Sequence, residues 1–171
     1  MGVRPAALMG RDYILNLVEQ TERRCGVPGG ADVEMLIQGL EHLGAKKLAL
    51  GTFFADEVNN IIAEYFEAAE IRVVGLTSWE HVLAERQAIG LKEGLDLVVE
   101  LGRAALRAAP TADALAMPGG TWPTVHAAQV LEQEFGKPVI ANFSALVWSA
   151  LQAPGIIAPM AGWGRLLSAP A

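Results

Sequence analysis

The stretch from Ala112 to Trp122, Ala-Asp-Ala-Leu-Ala-Met-Pro-Gly-Gly-Thr-Trp, constrains the fold most. It reads as a short apolar strand ending in a Pro-Gly-Gly turn. A helix from Thr124 to Phe135 follows, stopped by Gly136 with Pro138 just beyond. Pro138-Val139-Ile140-Ala141-Asn142 then reads as a second short strand. Strand, turn, helix, strand is a βαβ unit, and its right-handed crossover makes the two strands parallel. Ligands of open parallel sheets sit at the carboxyl ends of the strands. Paired glycines at such an end permit positive φ and close approach of a ligand to the backbone; the plainer reading is that they only make a tight turn.

The same alternation runs upstream. Leu48–Gly51 reads as a buried strand, Asp56–Ala69 as a helix with Val58, Ile61, Ile62, Tyr65 and Phe66 at core spacing, and Ile71–Leu76 as a strand. Trp79–Ile89 is helical in propensity, and Leu95–Ala109 reads clearly as a helix. Before Lys46 the start is irregular. A helix then spans Tyr13–Arg24, and another, capped by Asp32, ends near Leu43-Gly44. Ser144 reads as the N-cap of a last helix, ended by Pro154. The tail from Gly155 is rich in Gly, Pro and Ala, with Gly162–Leu167 as its one distinctive run.

The expected fold is therefore α/β: a parallel four-stranded doubly wound sheet over residues 45–144. An incomplete second α/β lobe is expected from the chain ends, a mostly helical remnant over 1–44 and a helix and tail over 145–171. The strand ends would carry Gly51-Thr52, Thr77-Ser78, Gly119-Gly120-Thr121 and Asn142–Ser144. These small residues, with hydroxyls, amides and N–H groups at helix starts, suit a carboxylate or phosphate.

Composition narrows the class. The chain has 171 residues, 52% of them hydrophobic, and a net charge of −6 without a basic patch, which argues against a nucleic-acid partner. No apolar run reaches the roughly 18 residues of a membrane span. The apolar patch within Met1–Gly10 is short and broken by Pro5, unlike a signal peptide. A single cysteine, Cys25, forbids an intrachain disulfide, so a cytoplasmic location is expected. No spacing of His, Cys, Asp and Glu suggests a metal, and the Gly119-Gly120 turn lacks the rest of a dinucleotide fingerprint.

Taken together, Leu48-Ala-Leu-Gly-Thr-Phe-Phe with Asp56, Val58 and Asn59, Ala116-Met-Pro-Gly-Gly, Pro138-Val-Ile-Ala-Asn with Ser144 and Trp148, and Gly162-Trp-Gly-Arg-Leu-Leu carry a resemblance. In order and spacing the chain resembles the aspartate/glutamate racemase superfamily, in its arylmalonate decarboxylase and maleate isomerase branch. The resemblance implies two facing α/β domains, no cofactor, and chemistry at the carbon next to a carboxylate of a small acid by cysteine thiols at facing strand ends. It also implies that about two strands of the first domain are absent here.

The match departs from the family pattern at several points. The second family cysteine corresponds to Pro118, which offers neither thiol nor N–H. The first corresponds to Gly10, as in the decarboxylase. Arg11-Asp12 stand where a Thr-Ser pair is expected, and Phe54 where a tyrosine is. The substrate-binding set implied is Gly10, Thr52, Phe54, Gly119, Gly120, Asn142 and Ser144. Cys25 matches no catalytic position. His126, one turn into the helix after the glycines, is a weak alternative proton carrier, and such a histidine usually lies on a solvent-facing flank. His42 and His81 read as surface residues.

Two functions compete: a cofactor-independent isomerase, racemase or decarboxylase impaired by Pro118, and a non-catalytic carboxylate binder or truncated family member. Apolar faces at Ile14, Leu17, Val147, Trp148 and Leu151 would lack a full sheet to cover them, so an exposed patch and homo-oligomers are expected.

Overall fold

The computed structural model describes residues 2–81, 85, 88–153, 155–156 and 159–168. Three helices open the chain, α1 (Val3–Met9), α2 (Arg11–Cys25) and α3 (Asp32–His42). Then come β1 (Lys47–Thr52), α4 (Asp56–Glu67), β2 (Arg72–Ser78), α5 (Leu91–Ala108), β3 (Ala114–Met117), α6 (Thr124–Phe135), β4 (Val139–Ala141), α7 (Asn142–Gln152) and α8 (Arg165–Ser168). The strands lie in the order β2-β1-β3-β4 and every pair is parallel, as the alternation requires.

Side-chain alternation in the strands sorts the core into two layers. Leu48, Leu50, Ala114, Ala116 and Ile140 point to one face, where α1, α3 and α4 add Ala6, Leu36, Ile37, Leu40, Ile62 and Phe66. Ala49, Leu115, Met117 and Val139 point to the other, where α5 and α6 add Val98, Leu101, Ala127 and Leu131. Both faces are covered, which explains why the strands read as apolar runs. Close contact of α5 with α6 depends on Gly102, whose absent Cβ would stand 2.3 Å from Leu131 Cδ1.

Two carboxylates tie strands into the sheet. Asp113 Oδ2 accepts the N–H groups of Lys46 (3.0 Å) and Lys47 (2.8 Å), fastening the start of β3 to the start of β1. Those two donors hold its pKa below the ordinary value. Glu132, buried on α6, accepts the N–H of Val139 at the outer strand β4 (2.9 Å) and of Arg165 at the start of α8 (2.8 Å). Burial outweighs these bonds and raises its pKa.

Several local expectations are corrected. Residues 3–9 are helical rather than irregular, and α5 begins at Leu91, with Gly94 inside it. Asp32 is the first helical residue and Ala31 the cap; the Asp32 carboxylate is drawn to Asn142 instead. Ser144 is the third residue of α7, and its hydroxyl reaches back to Ala141, accepting from its N–H (3.0 Å) and donating to its carbonyl (2.8 Å). Ile14 is fully buried, and Leu17, Val147, Trp148 and Leu151 are half-buried; the exposed apolar side chains of this region are Leu8, Met9, Tyr13 and Leu15. His81 is half-buried, 5.7 Å from the Phe53 ring and 5.6 Å from Trp122, not a surface residue. Residues 82–84, 86 and 87 of the Trp79–Ile89 expectation, and Pro154, lie outside the described residues.

Glu132 gives a pH prediction. The folded chain binds this proton more tightly than the unfolded chain. Its contribution is therefore fully present below the ordinary carboxyl range and is lost as pH rises through the raised folded value. Asp113 acts in the opposite sense, contributing above its ordinary pKa and losing that on acidification. Glu132→Gln should flatten the fall in urea midpoint between about pH 4 and pH 7, whatever it does to the midpoint itself; an unchanged slope would contradict this assignment.

Candidate functional site

The strand order reverses between β1 and β3: from β1 the chain moves outward to β2, and from β3 outward to β4. That reversal is the topological switch point, where ligands of open α/β sheets bind beyond the carboxyl ends. The β1 end here is Thr52-Phe53-Phe54, and the β3 end is Met117-Pro118-Gly119-Gly120.

The turn after β3 needs its first glycine. Gly119 has φ +118°, and a Cβ there would approach Phe54 Cζ at 3.4 Å. Side chains rarely adopt such a φ. Gly119 and Pro118 are buried, whereas Gly120 is exposed. A Cβ at Gly120 would meet Phe143 Cζ at 3.6 Å and Asn142 Nδ2 at 3.8 Å. The glycine pair thus lies between the Phe54 ring on one side and Phe143 with Asn142 on the other. Its N–H groups take no part in the turn and loop hydrogen bonds of the described residues.

A buried polar network fixes the Phe54 wall. The Thr52 hydroxyl, fully buried, donates to Asn59 Oδ1 at 2.6 Å and stands 3.1 Å from Ser78 Oγ. Asn59 Nδ2 and Ser78 Oγ both donate to the Phe54 carbonyl, at 2.8 and 2.6 Å. Three strand and helix elements thereby hold one peptide. The Thr52 and Ser144 hydroxyls, expected at a substrate, are committed to internal bonds, Thr52 within this network and Ser144 to Ala141. Asn59 carried a signal in the sequence: a polar residue on the apolar stripe it shares with Ile62 and Phe66.

Asn142, at the β4 end, is buried, and its Nδ2 donates to Asp32 Oδ2 at 3.1 Å. Its Oδ1 has no hydrogen-bond partner among the described residues, and an unpaired buried acceptor costs about 1–3 kcal/mol. Asp32, on α3, is half-exposed beside it. Sequence reasoning did not place Asp32 or Phe143 at the turn: Asp32 reads as a helix cap, and Phe143 carries no local signal.

His126 is exposed and packs against Trp163, with ring centroids 5.1 Å apart. Next to Gly10, the half-buried Arg11 binds the Ala68 carbonyl at 3.1 Å and the buried Glu34 carboxylate at 3.1 Å. Ala68 closes α4, roughly 18 Å along that helix from its start beside Phe54, so the polar contacts of this segment point away from the glycine turn. The Tyr65 hydroxyl is buried near Arg11 and Glu34 without a hydrogen bond of ordinary geometry; burial first, and the Glu34 carboxylate second, raise its pKa. Cys25 is exposed at the end of α2. Among the described residues no group of His, Cys, Asp and Glu is placed to hold a metal, and no helix is long and apolar enough to cross a membrane.

The family model for arylmalonate decarboxylase matches residues 1–167. The chain belongs to the arylmalonate decarboxylase family. It is 26% identical over 167 residues to the arylmalonate decarboxylase of Bordetella bronchiseptica, covering 97% of this chain and 68% of that one. A crystal structure of arylmalonate decarboxylase superposes with a TM-score of 0.87 at 25% identity, over 98% of this chain and 72% of the other. The maleate isomerase of Pseudomonas putida S16, crystallised with maleate, shares the fold at 24% identity with a TM-score of 0.81, over 95% of this chain and 65% of its own. The four-stranded parallel sheet is thus the family's fold, and a maleate isomerase shares that fold.

The network behind Phe54 is open to test. Thr52→Val keeps the shape but leaves the Asn59 amide oxygen without its donor. It should lower unfolding free energy by about 1–3 kcal/mol, measured by urea denaturation; a change below a few tenths would show that the network does not hold the Phe54 peptide.

Proposed function

We propose that this chain binds a small carboxylic acid at the Gly119-Gly120 turn without a cofactor, and that its turnover as racemase, isomerase or decarboxylase is near background. The observation that carries this reading is the pairing of Pro118 with the glycine turn at the switch point. The turn presents backbone N–H groups, which any substitution except proline leaves in place. Binding through them is independent of the thiol that the resemblance implies at position 118.

Proton transfer at the α-carbon is a different matter. Proline has no group to give or take a proton, and general acid–base catalysis contributes roughly 10² to 10⁴ in rate. Phe54 carries no hydroxyl where the resemblance implies a tyrosine, so one side-chain donor to a substrate oxygen is lost as well. His126 faces solvent against Trp163 and is not offered as a replacement.

The reading favours a carboxylate binder that has kept the family scaffold. Its expected binding set is Gly119, Gly120 and Asn142, with Phe54 as a wall and Thr52 and Ser144 as supports. The test is turnover of phenylmalonate, maleate, aspartate and glutamate by the purified chain, with deuterium uptake at the α-carbon followed by NMR. The expected result is uptake no faster than in buffer. Turnover well above buffer would overturn the loss of catalysis, and if His126→Ala then abolished it, the proton carrier would be that histidine.

A further inference from the structure

Packed rings tie together the two segments that carry the glycine turn. Phe53, next to Phe54 at the end of β1, and Trp122, two residues after Gly120, are both buried. Their rings are stacked, with centroids 3.8 Å apart and planes 17° from parallel, so the stack joins the β1 end to the chain leaving the turn after β3. The His81 ring closes on this stack edge-on, with centroids 5.7 Å from Phe53 at 75° and 5.6 Å from Trp122 at 80°. Edge-to-face pairs at such separations attract and orient the rings that make them.

The loop after β2 delivers His81 to this place. The Trp79 N–H donates to the Thr52 carbonyl at 3.1 Å and the His81 N–H to the Phe53 carbonyl at 3.3 Å, which carries the pairing of β2 with β1 past Ser78. The imidazole is then fixed through Nδ1, 2.8 Å from the Trp79 carbonyl. A carbonyl oxygen only accepts, so Nδ1 carries the proton. What the rings touch is the frame of the site. Phe53 leads into Phe54, whose Cζ would stand 3.4 Å from a Cβ at Gly119, and the Trp122 carbonyl accepts the Thr124 N–H at 2.8 Å where α6 opens.

We infer that His81 is a positioning residue for the carboxylate site: its ring, wedged edge-on against the Phe53–Trp122 stack, sets how the β1 end stands against the turn after β3, and so the aim of the Gly119 and Gly120 N–H groups. This rests on the carboxylate site proposed above and adds a residue that shapes it. His81 acts through Phe53 and Trp122, not on the ligand. Donors fixed in this way before binding spare the ligand the cost of ordering them.

The test compares the full chain with His81→Ala, His81→Phe and His81→Asn in ¹⁵N spectra, with and without phenylacetate. His81→Ala removes both ring contacts. Before any ligand is added it should move the Trp122 indole N–H signal and the Gly119 and Gly120 amide signals. Its Kd for phenylacetate should rise at least about fivefold, the lower worth of two edge-to-face pairs. His81→Phe keeps the wedge without the hydrogen bond and should return Kd to within about twofold of the wild-type value. His81→Asn keeps a donor for the Trp79 carbonyl without the ring and should bind as weakly as His81→Ala. A residue that only adds stability would not separate Phe from Asn in this way, since urea midpoints read stability and Kd reads the folded site. An unchanged Kd in His81→Ala, or recovery in His81→Asn but not in His81→Phe, overturns the inference and leaves the carboxylate site standing. Phenylacetate failing to bind the wild-type chain removes that site and the inference with it.

Discussion

Covering both faces of a four-stranded parallel sheet is the constraint on which the rest of this structure depends. Parallel strands leave no polar face, so each strand must be apolar throughout and each connection must supply a covering helix. With α4 on one face and α5 and α6 on the other, right-handed crossovers send the chain outward in opposite directions from β1 and β3. The gap between the ends of those two central strands is then the place where helices do not close over the sheet. Gly119, with its positive φ, lets the backbone turn there against the Phe54 ring instead of retreating from it.

The polar groups around that gap divide by burial. Thr52, Asn59, Ser78 and Ser144 bond to one another or to nearby backbone and are mechanical: they hold the Phe54 peptide and the start of α7. The glycine N–H groups, Asn142 Oδ1 and the Asp32 carboxylate have bonding capacity to spare. That division leaves the backbone of the turn free for the carboxylate recognition proposed above.

Much of this was legible in the sequence, and for identifiable reasons. All four strands, α6 to the residue, and the glycine turn follow from apolar runs broken by Gly and Pro, which are local signals. The resemblance located Phe54, Gly119, Gly120 and Asn142, and these lie together. Tertiary choices escaped. Asp32 reads as a cap because Asp at a helix start usually is one; only the fold shows that Asn142, from the far end of the chain, reaches it. Thr52 reads as a ligand group because it ends a strand, but its hydroxyl is spent on Asn59, a partner seven residues away and one helix turn in. His81 reads as a surface residue, yet the loop after β2 folds it against Phe53 and Trp122. Helix α1 was missed because Pro5 obscures a run whose Val3, Ala6 and Ala7 find burial only against the rest of the fold.

The central claim is that the backbone of the switch-point turn receives the carboxylate. Amide chemical shifts measured while phenylacetate is titrated into ¹⁵N-labelled protein test it most directly. The account predicts saturable shifts largest at Gly119 and Gly120, with Asn142 close behind. Shifts centred instead on the apolar cleft lined by Ile14, Leu17 and Gly30, with the glycine amides unmoved at saturation, would contradict it.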